Sequence, residues 1–363
     1  MVSIVFYYAL HIVGLAIATL ADVRPPVVAE FRQLLIDNHI QLNSSNSIQS
    51  LNDVMQNFFA GANSTNLEQW YKALPVHEEK LQMKQLIYDL MSADSFEAFD
   101  EFWLEKKYPK LAESVMLTTM SKGNYVIIHE RLIISGKFAR MWGYAVVANK
   151  RSFQRHLHHS AAHFQSDGDV CNEAASVFEQ TKSRTLVVAG ASRFSVKGDN
   201  KSPCQGKYQI ADASHSCSTM FHTVNLAVLS VVKQLKNFNE NTFIQWHGMA
   251  ESSCSASPVF VSTGARRNHA IYNVPSIPAN RIVSRLNLHV GNVVAHTPHS
   301  DVSCKLVATS NVFGRAIYSV PEESVCDTHA RDEDITGRFV HIEQKRKYRD
   351  SWNVWADVIN AIF

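Results

Sequence analysis

The residues best able to do chemistry in this 363-residue chain stand in three short stretches. His163-Phe-Gln-Ser-Asp167, within HLHHSAAHFQSDGD, sets an imidazole and a carboxylate a turn apart, just after a strand expected to end near Ala148. Imidazole nitrogen and carboxylate oxygen both suit zinc. His247 closes the apolar run Phe243-Ile-Gln-Trp and precedes Gly248, which places a third donor at a strand end. Glu343 leaves the run Arg338-Phe-Val-His-Ile, where a carboxylate can take a proton from metal-activated water. In a chain with 17 histidines, one His beside an acid is expected by chance. The weight lies in the order and strand-end placement of all three stretches together.

Other chemistries fit less well. Gly190-Ala-Ser192-Arg193 lacks the closing glycine of a serine-nucleophile elbow. A cysteine nucleophile is disfavoured if all six cysteines pair. Arg184 and Arg193 flank a strand, and a guanidinium grips a carboxylate through two parallel bonds. Arg193 is the candidate for that task, and Arg184 is expected in an ordinary salt bridge.

The elements that must position these groups alternate from Asn124 onward. Strands are expected at Tyr125–His129, Gly143–Ala148, Thr185–Ala189, Thr242–Trp246, Val259–Ser262 and Arg338–Glu343, all β-branched or aromatic runs. Helices are expected at Cys171–Gln180, Cys217–Leu235, Pro278–Leu288 and Ser351–Ile362, the last closing the fold with Trp352, Trp355, Ile359 and Ile362. His156, His158 and His159 read as including solvated residues. Alternation of this kind specifies an α/β fold, a mostly parallel mixed sheet with helices on both faces. Ligands in such sheets sit at the carboxyl ends of the strands.

From Pro26 to about Pro109 the pattern is helical and cysteine-free. Val27, Val28, Phe31, Leu34 and Leu35 form one expected stripe; Leu51, Met55, Phe58 and Phe59 form a second after a Ser47 start. Leu81, Lys84, Leu86 and Leu90 continue it, and Phe96, Phe99 and Trp103 follow an Asp94 or Ser95 cap. The expected organisation is therefore a leader at 1–21, a helical region at 22–122 and an α/β domain at 123–363. The helical region is expected not to line the strand-end site.

The leader reading rests on an uncharged run, Val5 to Ile17, shorter than the about 20 residues needed to span a bilayer. Thr19 and Ala21 supply small residues before a cleavage point. Six cysteines, at 171, 204, 217, 254, 304 and 326, suit three disulfides in an oxidising compartment. None is in CxxC spacing, which argues against a thiolate zinc site. Asn43, Asn63 and Asn200 begin glycosylation sequons. Together these indicate a secreted glycoprotein with no stable membrane span. A net charge of +2 gives no nucleic-acid footprint.

The block HFQSDGDVCNEAASVFEQTKSRTLVVAGASRF, from His163 to Phe194, resembles the first half of N-formylglutamate amidohydrolase-like enzymes, relatives of the zinc carboxypeptidases. The stretch from Ala211-Asp-Ala-Ser-His215 through Phe221-His222 to Ile244-Gln-Trp-His247-Gly-Met is similar too. In zinc carboxypeptidases the order is His and acid ligands, a substrate-binding Arg, a third His ligand and a late catalytic Glu. His163, Asp167, Arg193, His247 and Glu343 follow that order. The resemblance spans roughly residues 140–345. It implies zinc on His163, Asp167 and His247, with Glu343 as general base and Arg193 orienting a carboxylate-bearing substrate, a small molecule or a peptide. His215 would then stabilise an oxyanion. The family's pair is His-x-x-Glu, so Asp169 and Glu173 remain alternatives to Asp167. Ala162 and Gly248 stand where the amidohydrolases have Pro and Ser. A non-catalytic secreted binding or structural protein on the same scaffold is the other reading.

Overall fold

β-branched and aromatic runs build most of the strands, as their fit to a pleated, buried surface requires. In the computed structural model, which describes residues 28–33, 47–235 and 238–363, these are β1 (Val28–Glu30), β2 (Val115–Met120), β3 (Tyr125–Glu130), β4 (Leu132–Ile134), β5 (Lys137–Phe138) and β6 (Tyr144–Ala148). They continue with β7 (Arg155–Ala161), β8 (Ser183–Val188), β9 (Thr242–Gly248), β10 (Val259–Ser262), β11 (Ala295–His296) and β12 (Phe339–Gln344). Nine of them form one mixed sheet in the order β11-β10-β12-β9-β7-β8-β6-β3-β2. Its centre, β8-β7-β9-β12, is parallel throughout, and antiparallel pairs begin at β6 and β10. The α/β fold with helices packed on a largely parallel sheet is the expected one.

The topology explains where a site must lie. From β7 the chain passes through the Val170–Gln180 helix to β8 on one side, then through the Met220–Gln234 helix to β9 on the other side of β7. Right-handed crossovers running in opposite directions put these two helices on opposite faces. A crevice opens between the carboxyl ends of β7 and β9, where the direction reverses, and open α/β sheets bind ligands there.

β7 itself was not among the expected strands. Its sequence RHLHHSA carries three histidines and reads as polar, yet His158 and His159 are core residues. His158 bonds Thr185 Oγ1 at 2.8 Å and Asn241 Oδ1 at 2.7 Å; His159 bonds Ser183 Oγ at 2.9 Å and accepts from Trp246 Nε1 at 3.0 Å. Polar partners on neighbouring strands satisfy the rings, which removes the cost of burying them. His163 therefore follows β7 rather than the strand ending at Ala148.

The N-terminal region holds helices at Ile48–Met55, Leu67–Ala73, His77–Ser92 and Glu101–Lys107. Ser47 caps the first as expected, accepting from Ser50 N at 2.9 Å. Three expectations fail. Val28–Glu30 is a strand, paired with β4 in a small sheet; Val27, Leu34 and Leu35 lie outside the described residues, as do the leader and Asn43. Leu81 is half exposed, because the His77–Ser92 helix buries Met83, Leu86, Ile87, Leu90 and Met91 instead. The helix through Trp103 starts at Glu101 on an Asp100 cap, so Phe96 and Phe99 sit in the preceding turn. The expected boundary at 122 falls in the hairpin between β2 and β3. One hydrophobic core runs from Phe31 to Ile362 across it.

Arg140 joins the two regions. Its guanidinium bonds both oxygens of Glu79, at 2.6 and 2.8 Å, and also donates to Ser114 Oγ and to the carbonyls of Leu74 and Ala73. Glu79 is only 2% exposed, so its charge depends on this partner. Arg140→Met should therefore lower the unfolding free energy by about 3–5 kcal/mol, since truncation strands a buried carboxylate. Adding Glu79→Met should return part of that loss in urea melts; an additive double mutant would mean the pair is not coupled.

Beside it, Glu130 accepts from the amides of Arg140 and Trp142, both at 2.6 Å. Burial outweighs those bonds and pushes its carboxyl up to about 7. A carboxyl raised above its unfolded value favours the fold at low pH, and that contribution is lost as pH rises through about 7. The drop is about 3 kcal/mol on a scale of about 1.4 kcal/mol per pH unit. Glu130→Gln should remove this component from stability measured at pH 5 and pH 8; an unchanged difference would refute the assignment.

Two of the three expected disulfides are present, Cys204–Cys326 and Cys254–Cys304. Cys171 lies in the buried Val170–Gln180 helix with no cysteine opposite, and Cys217 is free beside the first bridge. Denaturing alkylation without reductant should accordingly label two thiols per chain, one of them Cys171, and neither Cys254 nor Cys304. Among the described residues no helix is long and apolar enough to cross a membrane.

Candidate metal centre

The loop after β7 folds back within one turn. Asp167 N donates to the His163 carbonyl at 3.3 Å, with Gln165 and Gly168 at φ 62° and 73°. The Asp167 carboxylate thus returns to the ring it follows, Oδ2 lying 2.9 Å from His163 Nδ1. His247, on neighbouring β9, brings Nδ1 to 3.1 Å from both His163 Nδ1 and Asp167 Oδ2. Three donor atoms of buried residues therefore form a triangle of side 2.9–3.1 Å. Zinc donors about 2.0–2.2 Å from one centre stand about 3.3–3.6 Å apart when tetrahedral, so movements of about half an ångström suffice to receive the ion.

The outer partners set which atoms face inward. His163 Nε2 donates to Asp212 Oδ1 at 2.9 Å, and His247 Nε2 to Gln245 Oε1 at 2.9 Å. Gln245 Oε1 is held as an acceptor by Asn311 Nδ2 and by Ser214 Oγ at 3.2 Å. With each Nε2–H directed outward, both Nδ1 atoms turn toward Asp167 Oδ2. Carboxylates and amides behind ligand histidines play this orienting part in metal sites. Two imidazole lone pairs and a carboxylate in mutual contact require a cation between them.

Without a metal, that cation is a proton. Burial alone would lower His163, but the carboxylates of Asp167 and Asp212 outweigh it and raise the ring to about 9. Burial lowers His247 to about 4, leaving it neutral, and Asp167 is held well below the carboxylate range chiefly by His163 against its own burial. Metal binding must displace the His163 proton.

Register explains the remaining groups. His247 pairs with Glu343 and Gln245 with His341 across the parallel β9/β12 ladder, so period-2 alternation places all four on one face. The donor atoms of His247, His341 and Glu343 lie within 4.8 Å of one another. Burial, then repulsion from Asp167, pushes Glu343 up to about 8. Gly248 follows His247 where a Cβ would collide with the Asp167 carbonyl and Arg349, and its amide donates to Asp167 Oδ2 at 3.2 Å. That close approach accounts for glycine at this position.

The acid alternatives separate cleanly. Asp169 bonds Asn172 Nδ2 at 3.0 Å and Glu173 bonds Gln344, both away from the triangle. Arg193 bonds Asp167 Oδ1 and, through Nε, Ser166 Oγ at 2.9 Å, while Nη1 lies 3.9 Å from Asp212 Oδ2. Arg184 forms no salt bridge among the described residues; it donates to the carbonyls of Ala148 and Met91. His215 stacks on Tyr208 with ring centroids 3.4 Å apart, its Nδ1 facing Gln205 Oε1 at 3.0 Å and the Ser310 carbonyl at 3.2 Å. Burial keeps it neutral, with a pKa near 3. A neutral ring with its proton on Nδ1 offers a lone pair at Nε2, so the oxyanion-donor role expected of it does not hold.

A cavity of ≈ 340 Å³ opens above the triangle. Arg193, Lys207, Tyr208, His215, Lys305 and Glu343 are among its walls, and none of the described residues of the N-terminal region is. Sequence reading assigned no role to Asp212, Gln245 or His341. The alternation His341-Ile-Glu343 and Gln245-Trp-His247 was the available signal for two of them. Asp212 had none, because its partner is 49 residues away.

No protein-family model matches the chain, and no curated protein matches it. Among solved structures, the Atu2144 gene product of Agrobacterium tumefaciens aligns with a TM-score of 0.32 and 10% identity, over 58% of this chain and 87% of its own. The Legionella protein LapA aligns with a TM-score of 0.31 and 10% identity, over 92% and 76%. At these scores neither alignment carries an argument.

Proposed function

We propose that this chain is a secreted zinc-dependent hydrolase of amide bonds in a carboxylate-bearing substrate. The observation that carries the reading is the triangle of His163 Nδ1, Asp167 Oδ2 and His247 Nδ1, each ring oriented from behind by an acceptor. Three protein ligands facing a cavity match a catalytic rather than a closed structural site. Zinc held there would bring the pKa of water in its open position toward about 7 and polarise a carbonyl.

Glu343, which lines the same cavity, would take a proton from attacking water in its ionised form, a form that a bound dication would favour, and would return it to the leaving nitrogen. Arg193 fixes Asp167 and Ser166, and its Nη1 is left to meet negative charge on the substrate. Lys207 and Lys305 add positive potential at the cavity wall, which favours an anionic substrate. Two disulfides and the apolar leader sequence support an extracellular location.

Metal analysis of the secreted protein, dialysed against micromolar zinc, tests the reading. One zinc per chain is expected. Less than a tenth of that would leave the non-catalytic binding protein as the better account.

A further inference from the structure

Cys217 Sγ lies 3.4 Å from Cys326 Sγ, and Cys326 is already bonded to Cys204. All three sulfurs fall within 4.8 Å of one another. Cys204 and Cys217 are the two ends of one loop, and that loop carries much of the cavity wall: Lys207, Tyr208, Ser214 and His215. It also carries Asp212, which orients His163. The bridge to Cys326 currently ties the loop at its first residue.

We propose that Cys217 and Cys204 exchange as the partner of Cys326, so that the cavity wall is tethered at either end of this loop. The step is balanced within the chain. Cys217 gives its proton to solvent, and its thiolate attacks Cys326 Sγ. The Cys326–Cys204 bond breaks, the electron pair stays on Cys204, and that sulfur takes up a proton. No oxidant or reductant is needed. Exchange has no third participant, because Cys171 is buried in its helix and the other two cysteines pair with each other. Burial pushes the Cys217 thiol up, so exchange is slow near neutrality and speeds as pH rises.

The mechanical consequence follows from what remains. With the bridge moved to Cys217, residues 204–208 keep only non-covalent ties: Gln205 Nε2 to the Ser310 carbonyl at 2.8 Å and to the Cys326 carbonyl at 3.2 Å, Tyr208 Oη to Ser310 Oγ at 2.7 Å, the contacts of Gln205 Oε1 and the Tyr208 ring with His215, and hydrogen bonds with Ser202. Segments held by a few half-exposed hydrogen bonds open locally. The Lys207–Tyr208 wall loosens while Asp212 to His215 stays close to the Cys217 tether. A role in gating turnover rests on the hydrolase reading above; the exchange itself does not.

The full chain is incubated at pH 8.5, quenched in acid and mapped by non-reducing peptide mass spectrometry. Both Cys204–Cys326 and Cys217–Cys326 peptides are expected, with Cys254–Cys304 constant. Finding only Cys204–Cys326 after prolonged incubation overturns the proposal. In Cys204→Ser folded with oxidised glutathione as the two-electron oxidant, the Cys217–Cys326 bridge should form, and trypsin should cut after Lys207 at least tenfold faster than in the wild type. Free thiols at both 217 and 326 in that variant, or an unchanged cleavage rate, would count against it. The wild-type mapping decides the exchange even if the variant does not fold. Because neither readout uses zinc or turnover, loss of the hydrolase reading would leave this result standing.

Discussion

His247→Ala is expected to abolish zinc binding at micromolar metal. The substitution removes one of three donors and leaves His163 Nδ1 and Asp167 Oδ2, which two-point attachment cannot hold against water. The expected loss is at least about 10³-fold in affinity, read by competition with a chromogenic chelator. Asp212→Asn is the graded control. It keeps the shape and an acceptor for His163 Nε2 but removes the charge behind the ring, so a loss of about 10- to 100-fold is expected. Affinity in His247→Ala within threefold of wild type would mean that the triangle is a hydrogen-bonded cluster and not a metal centre. His247 is buried against His163 and His341, so folding of the variant is checked by circular dichroism before the titration.

Glu343→Gln is expected to separate binding from turnover. The amide keeps the size of the side chain and cannot accept the proton of attacking water. Hydrolysis should fall by about 10²- to 10⁴-fold in kcat, the usual contribution of a positioned general base, with KM little changed. Zinc content should stay at one per chain, because Glu343 is outside the triangle. Equal activity in the two proteins would move the base elsewhere. His341 is the neighbouring candidate, as its Nε2 lies 3.7 Å from Glu343 Oε1 and its buried Nδ1 has no partner among the described residues. Zinc loss in Glu343→Gln would instead make this carboxylate a ligand.

Much of the fold was legible because hydrophobic pattern and chain topology are local or nearly local properties. Tyr125–Glu130, Tyr144–Ala148, Thr242–Gly248 and Val259–Ser262 declare themselves by β-branched and aromatic runs. β7 did not, because its burial depends on Thr185, Ser183 and Asn241, hydrogen-bond partners supplied by other segments. The N-terminal misreadings have a similar origin. Val28–Glu30 becomes a strand because β4 offers an edge to pair with, and the face of the His77–Ser92 helix that is buried is chosen by the helix it packs on.

By itself the sequence determined the alternation that requires a largely parallel sheet. It also placed His247 and Glu343 at strand ends, but it referred His163 to the strand ending at Ala148, which runs antiparallel to β8, and not to β7. The tertiary structure decided the rest. Strand order put β7, β9 and β12 side by side, and ladder register put Glu343 beside His247. The tight turn at Gln165–Gly168 selected Asp167 over Asp169 and Glu173. Only spatial neighbours could reveal that Asp212 and Gln245 orient the two rings, that the Nδ1 of His215 is taken by carbonyl oxygens, and that Cys217 rests against a disulfide. Each of these depends on a side chain's orientation toward a group distant in sequence, and no spacing along the chain encodes that orientation.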